Sequence, residues 1–144
     1  MSDILTRDLV VASGRATTRD EAIREAGELL ASSGAVTAQY VEAMAERERT
    51  VSTYMGNYLA IPHGTNAAKD AIVRSALCLI RYDQPIDWAG NPVRAVVGIA
   101  GVNDEHLGIL GKIAVIFADE DEVRRVLDAS TADELYDIVQ RVNT

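Results

Sequence analysis

The stretch VRAVVGIAGVNDEHLGILGKIAVIFA, residues 93–118, combines two hydrophobic patterns. Residues 93–101 are apolar nearly throughout, which is typical of a β-strand covered on both faces. The later residues return to helical spacing, and Asp104 is in position to cap the helix that they predict. The predicted buried stripe of this helix consists of Leu107, Leu110, Ile113, Ala114 and Phe117. A buried strand leading into an amphipathic helix indicates an α/β layer protein.

The rest of the chain repeats this alternation of helices and short apolar strands. Amphipathic spacing predicts four further helices, over residues 17–34, 37–48, 119–129 and 131–142. Apolar β patterns predict strands over residues 58–61 and 75–82. Pro85, Gly90 and Pro92 predict that residues 83–92 form a loop. With 144 residues, 48% of them apolar, the chain is expected to form one domain over residues 1–144.

Composition argues against several classes of protein. The net charge of −8 disfavours nucleic-acid binding, which depends on Lys and Arg contacts to phosphates. The negative charge is explained either by a protein partner with a basic face or by solubility alone. No apolar run approaches the roughly 20 residues of a membrane span, and the N-terminal residues lack a signal-peptide pattern. The only cysteine, Cys78, is predicted to be a buried, inert thiol in a protein of the reducing cytoplasm.

One of the two histidines lies in LAIPHG, residues 59–64, where a short predicted strand ends. Pro62 favours extended geometry up to the turn, and Gly64 allows backbone or ligands to approach closely. Thr65 is in position to cap a short helix over residues 65–72, whose first amides suit an anion such as phosphate. His63 is therefore a candidate reactive imidazole, and a surface turn without a task is the alternative.

His106 and Arg47 are the other candidates. His106 lies at the start of the helix after the apolar strand, and ligands of α/β sheets collect beyond such strand ends. If the strands before His63 and His106 are parallel neighbours, the two imidazoles can share one pocket. Arg47 and Arg49 are candidate anion clamps, because a guanidinium holds phosphate in a bidentate manner. The alternative for His106 is a half-exposed helix histidine without a function. The alternative for Arg47 and Arg49 is a solvated helix end.

Metal and nucleotide sites have less support. His63 and His106 lack the paired spacing of a zinc motif such as H-E-x-x-H, and no third ligand is evident. Neither G-x-x-x-x-G-K-[ST] nor a G-x-G-x-x-G after a strand occurs, so no nucleotide cofactor is expected. A metal-dependent hydrolase, which would need a third ligand near the two histidines, is kept as an alternative hypothesis.

The segment MAERERTVSTYMGNYLAIPHGT, residues 44–65, carries a resemblance to a known family. It resembles the active-site segment of enzyme IIA components of the bacterial phosphoenolpyruvate-dependent sugar phosphotransferase system, mannitol/fructose class. The shared features are an Arg-Glu pair, an ST-x-x-G stretch and a strand ending in A-[IV]-P-H-G. VVGIAGVNDEHLGILGKIA, residues 96–114, resembles a second family segment. The resemblance runs from about Leu5 to Val139, and YVEAM, STYMG and NDEH are similar to the mannitol branch.

The resemblance implies a small mixed β-sheet flanked by helices on both faces. It implies that His63 is the phosphorylated histidine, His106 the second active-site histidine and Arg47 the arginine that supports the phosphate. The donor would be the phosphocarrier HPr, and the acceptor a cysteine of a IIB component associated with a membrane IIC component, with no metal or cofactor. Uptake of mannitol or a related sugar is the expected function. A regulatory, nitrogen-type relative, phosphorylated on His63 without sugar transport, is the alternative.

Overall fold

A computed structural model describes residues 4–103 and 105–143 of the chain. Its α-helices are α1 (Arg19–Ser32), α2 (Ala38–Thr50), α3 (Glu105–Ala118), α4 (Glu120–Asp128) and α5 (Ala132–Val139). Its strands are β1 (Val10–Val11), β2 (Tyr54–Gly56), β3 (Leu59–Ala60), β4 (Ala76–Trp88) and β5 (Asn91–Ala100). Short 3-10 helices cover Arg7–Leu9, Asn66–Ala71 and Gln140–Asn143. Asp104, the expected cap of α3, lies outside the described residues.

The five strands form one mixed sheet in the order β1-β4-β5-β3-β2. The long central pair, β4 and β5, is antiparallel, whereas β1 runs parallel to β4 and β3 runs parallel to β5. Strand β2 forms an antiparallel edge beside β3. The mixed sheet confirms the expected fold class, and the central position of β5 explains its apolar sequence.

Helices cover both faces of the sheet. Cys78 and Gly98 face α1, because a Cβ on Gly98 would lie 2.9 Å from the Cys78 Sγ and 3.1 Å from the Ala26 Cβ. Arg81, on the opposite face, donates to the backbone carbonyls of Val126 and Ala129 at the end of α4. Cys78 is fully buried, and burial raises the pKa of its thiol to about 12, as expected for an inert cysteine. No helix among the described residues is long and apolar enough to cross a membrane.

The prediction of a loop over residues 83–92 is wrong. Strand β4 continues to Trp88, and the chain reverses in two residues, Ala89 (φ 53°) and Gly90 (φ 91°), before β5 begins. Positive φ at both positions matches the twist of a tight hairpin. Pro85 is tolerated inside β4 because the pairing register shifts between Arg81 and Ile86.

A second hairpin and the orientation of α3 also differ from the expectation. Strand β2 was not predicted; it is joined to β3 through Asn57 and Tyr58, both at positive φ. In α3, Leu107 is 63% exposed. Ile113 and Phe117 are buried as predicted, and the other buried residues of α3 are Ile109 and Ile116. Because apolar side chains surround this helix, spacing alone does not select the face that packs on the sheet.

Candidate active site

His63 and His106 are brought together by the parallel pairing of β3 and β5. The chain leaves β3 through Ile61 and Pro62, and His63 forms a parallel bridge with Ile99 of β5. His106 lies in the first turn of α3, directly beyond the end of β5. The parallel arrangement required for a shared site is therefore present, and both histidines line the same pocket.

This pocket has a volume of about 390 Å³. The residues that line it are Tyr40, Arg47, Thr50, His63, Gly64, Thr65, Lys69, Ile72, Gly101, Asn103 and His106. Two of these described residues, Arg47 and Lys69, are cations, and no described lining residue is an aspartate or glutamate. In a chain with a net charge of −8, a pocket lined in this way favours an anionic ligand.

The imidazole of His63 is held through one of its two nitrogens. Its Nδ1 lies 2.9 Å from the carbonyl oxygen of Ile61. A carbonyl only accepts hydrogen bonds, so Nδ1 carries the proton and Nε2 keeps its lone pair. Burial lowers the pKa of His63, and the charges of Arg47 and His106 act in the same direction. The hydrogen bond to Ile61 and the charge of Glu48 oppose this shift. A neutral imidazole with a free Nε2 is the form of His63 that can act as a nucleophile.

Tyr40 fixes the backbone around His63. Its hydroxyl donates to the carbonyl of Ile99 at 2.7 Å and accepts from the amide of Gly64 at 2.9 Å. The amide of Ile99 in turn donates to the carbonyl of Pro62 at 3.1 Å. A Cβ on Gly64 would lie 2.4 Å from Cε1 of Tyr40, so glycine permits this close contact. The residues on both sides of His63 are thus tied to the sheet and to α2.

Arg47 and His106 approach the pocket from the ends of two helices. Arg47 lies in the last turn of α2, half-buried, and its Nη1 donates to the carbonyl of Val51 at 2.9 Å. Arg49 is exposed and is not among the pocket residues. A Cβ on Gly101 would lie 2.4 Å from the backbone nitrogen of His106. The loop after β5 therefore packs directly against the turn that carries His106.

Comparison with known proteins shows the family to which the chain belongs. Residues 3–142 match the family described as "Phosphoenolpyruvate-dependent sugar phosphotransferase system, EIIA 2". The chain belongs to this EIIA family. The mannitol-specific phosphotransferase enzyme IIA component of Halalkalibacterium halodurans is 45% identical over 140 residues, covering 97% of each chain.

Two solved structures are similar to this EIIA protein over nearly its whole length. The crystal structure of IIA mannitol from Escherichia coli is 32% identical, with a TM-score of 0.86, and the match covers 93% of this chain and 97% of that one. The complex of Escherichia coli enzyme IIAMTL with phosphorylated IIBMTL gives 30% identity and a TM-score of 0.86, covering 94% and 97%.

Several pocket residues of the EIIA protein were not identified as site residues from the sequence. Lys69 belongs to the 3-10 helix that follows His63, and its only signal was its place in the predicted short helix over residues 65–72. Thr65 precedes that helix but makes no side-chain capping hydrogen bond. Tyr40 was not identified as a site residue from the sequence, so its two hydrogen bonds were missed. Asn103, at φ 56°, lies in the turn before α3.

The described part of the EIIA chain offers little to a metal ion. Residues 4–103 and 105–143 contain no group of three or more His, Cys, Asp or Glu side chains placed to hold one. His63 and His106 instead share their pocket with Arg47 and Lys69. Positive side chains beside two imidazoles favour an anion over a metal cation.

Proposed function

We propose that this EIIA protein is a phosphocarrier that accepts a phosphoryl group on Nε2 of His63. The donor is phospho-HPr, and the acceptor is a cysteine of a IIB component that serves a mannitol-transporting IIC component. The observation that carries the proposal is the contact of 2.9 Å between Nδ1 of His63 and the carbonyl of Ile61, which leaves Nε2 unprotonated. The pocket around it includes the cations Arg47 and Lys69, and its described lining residues include no carboxylate. The whole chain, residues 1–144, would act as one carrier domain in the cytoplasm.

In the first step, the lone pair of His63 Nε2 attacks the phosphorus of phospho-HPr. The bond between phosphorus and the HPr imidazole breaks, and its electron pair stays on that imidazole. The Nδ1 proton remains in its hydrogen bond to Ile61. In the second step, a IIB thiolate attacks the same phosphorus, and the electrons of the P–Nε2 bond return to His63.

Positioning and charge stabilisation supply most of the catalysis in this kind of transfer. The transition state is loose and in line, with negative charge spread over the three equatorial oxygens of the phosphoryl group. We assign the stabilisation of that negative charge to Arg47 and His106. The guanidinium of Arg47 can hold two phosphoryl oxygens at once. Tyr40 and Ile61 keep the imidazole aligned, so that little ordering is needed when HPr docks.

Mannitol is preferred over a purely regulatory role because of the relatives. The Halalkalibacterium halodurans relative, 45% identical, is named as mannitol-specific, and the Escherichia coli IIAMTL neighbour was solved with phosphorylated IIBMTL. A regulatory EIIA would also take a phosphoryl group on His63. Such a protein would not need a cognate IIB partner, and this difference separates the two functions experimentally.

The test is phosphorylation by phosphoenolpyruvate, enzyme I and HPr, followed by intact-mass spectrometry and then by addition of a mannitol-type IIB. We expect one acid-labile phosphoryl group per chain, which then moves to the IIB cysteine. Phosphorylation without transfer to any IIB would favour the regulatory alternative. No added mass, under conditions that phosphorylate a known IIA, would contradict the phosphocarrier function.

Acceptance of the phosphoryl group is expected to persist at a pH where an ordinary histidine is already protonated. Burial lowers the pKa of His63, so its neutral, nucleophilic form survives to lower pH. The transfer rate should therefore fall as the pH drops through a midpoint below about 6.5, the value for an unperturbed histidine. An NMR titration of the His63 ring, with a histidine peptide as reference, measures this midpoint. A value at or above that of the peptide would contradict the prediction.

A further inference from the structure

Glu48 is a buried carboxylate with an unusually complete set of donors. It follows Arg47 in the last turn of α2 but is only 4% exposed. Its Oε1 accepts from the amide of Thr53 at 2.9 Å and from Nε1 of Trp88 at 2.6 Å. Its Oε2 accepts from the hydroxyl of Thr53 at 2.6 Å. Three donors offset much of the cost of burying the charge.

The contacts of Glu48 continue to the ring of His63. The carbonyl of Thr53, the residue held by Glu48, accepts from the amide of Ile61 at 3.1 Å. The carbonyl of Ile61 accepts from Nδ1 of His63 at 2.9 Å. The amide and carbonyl of one residue, Ile61, thus join the segment fixed by Glu48 to the imidazole.

We propose that Glu48 is a positioning residue for the reaction of His63. By holding Thr53, it fixes the peptide groups of Ile61, and these hold the proton on Nδ1 and leave Nε2 free. The proposal rests on the proposed function, since it concerns the nucleophile of that reaction. It gives separate tasks to adjacent residues, with Arg47 lining the pocket and Glu48 ordering the segment behind it.

A carboxylate at this position is not explained by stability alone. An apolar side chain of similar size, packed among its neighbours, is often as stable as a buried charge. An apolar side chain could not direct the amide and hydroxyl of Thr53 together with the indole of Trp88. The three directed hydrogen bonds therefore point to a requirement for geometry.

Two substitutions separate geometry from charge. In Glu48→Gln, the amide oxygen can still accept from Thr53 N and Trp88 Nε1, and the amide nitrogen can donate to the hydroxyl of Thr53. The charge is lost but the contacts can be kept. In Glu48→Ala, both the charge and the contacts are lost.

The experiment measures the tautomer of His63 by nitrogen-15 NMR and the rate of phosphoryl transfer from phospho-HPr, in the full chain. For Glu48→Ala we expect a mixture of Nδ1-H and Nε2-H tautomers and a loss of roughly tenfold to a hundredfold in rate. For Glu48→Gln we expect the Nδ1-H tautomer and a loss of about threefold. Circular dichroism shows whether each variant is folded.

Thr53→Val replaces Glu48→Ala if the alanine variant does not fold. It removes only the hydroxyl contact of 2.6 Å, in a side chain of nearly the same shape. We expect a loss of about threefold to tenfold in rate and a detectable Nε2-H tautomer.

A wild-type tautomer and rate in the folded alanine variant, or in Thr53→Val, would overturn the proposal. Equal losses in Glu48→Gln and Glu48→Ala with an unchanged tautomer would also overturn it, because the effect would then belong to the charge. The tautomer is measured without any donor protein. Failure of the proposed function, in which wild-type protein takes no phosphoryl group, is therefore distinguishable from failure of this inference.

Discussion

His63→Asn protein is expected to take up no phosphoryl group from phospho-HPr. The amide nitrogen of asparagine lies near the position of Nδ1 and can donate to the carbonyl of Ile61, as the histidine does at 2.9 Å. The variant has no counterpart of the Nε2 lone pair, so the bond to phosphorus cannot form. The free energy of unfolding should change by only about 1 kcal/mol, because the half-buried hydrogen bond to Ile61 is retained.

Intact-mass spectrometry after incubation with phosphoenolpyruvate, enzyme I and HPr measures this result. His106→Asn is the matched comparison, since it removes the other pocket imidazole and leaves the nucleophile in place. We expect it to be phosphorylated more slowly, by about tenfold to a thousandfold, through loss of transition-state stabilisation. Stoichiometric phosphorylation of His63→Asn would show that another residue is the acceptor.

Arg47→Met should slow phosphoryl transfer by about a hundredfold to a thousandfold, the range found when one preorganised donor to a developing charge is removed. Arg47 lines the pocket with His63 and is anchored by its contact of 2.9 Å to the carbonyl of Val51. Arg47→Lys should recover part of the rate, because it restores the charge but not the planar, bidentate donor.

Arg49→Met is the control for Arg47. The two arginines share the last turn of α2, yet Arg49 is exposed and does not line the pocket. Single-turnover transfer from phospho-HPr should therefore be close to wild type in Arg49→Met. Equal losses at both positions would indicate a general effect of positive charge on HPr docking, and the assigned role of Arg47 would then be wrong.

The sequence predicted the parts of this structure that depend on local patterns. The helices α1, α2, α4 and α5 follow their apolar spacing, and the strand end at Pro62 and His63 is where the turn residues predicted it. Family motifs supplied the mixed sheet and the candidate roles of the two histidines. The parallel pairing of β3 with β5 joins segments that are distant in the sequence. The sequence therefore offered this pairing only as a condition for a pocket shared by His63 and His106.

The wrong predictions arose where tertiary contacts overrode a local sequence pattern. Pro85 and Pro92 predict a loop by themselves, but a register shift and a tight turn at Gly90 place them in a long hairpin. The exposed Leu107 shows that packing on β5, not spacing, chose the face of α3. The sequence does not indicate that Tyr40 and Lys69 line the pocket, because their places there depend on the meeting of separate segments.

Trp88 gives this protein an optical property of practical use. It is the only tryptophan of the chain, fully buried, and its indole donates to Glu48. Its fluorescence therefore has a single source, next to the segment that supports His63. Stopped-flow emission of the unlabelled protein can then follow that segment in real time during phosphoryl transfer. A signal that changes with each transfer would show that the surroundings of Trp88 respond to phosphorylation of His63, and a constant signal would show no such response.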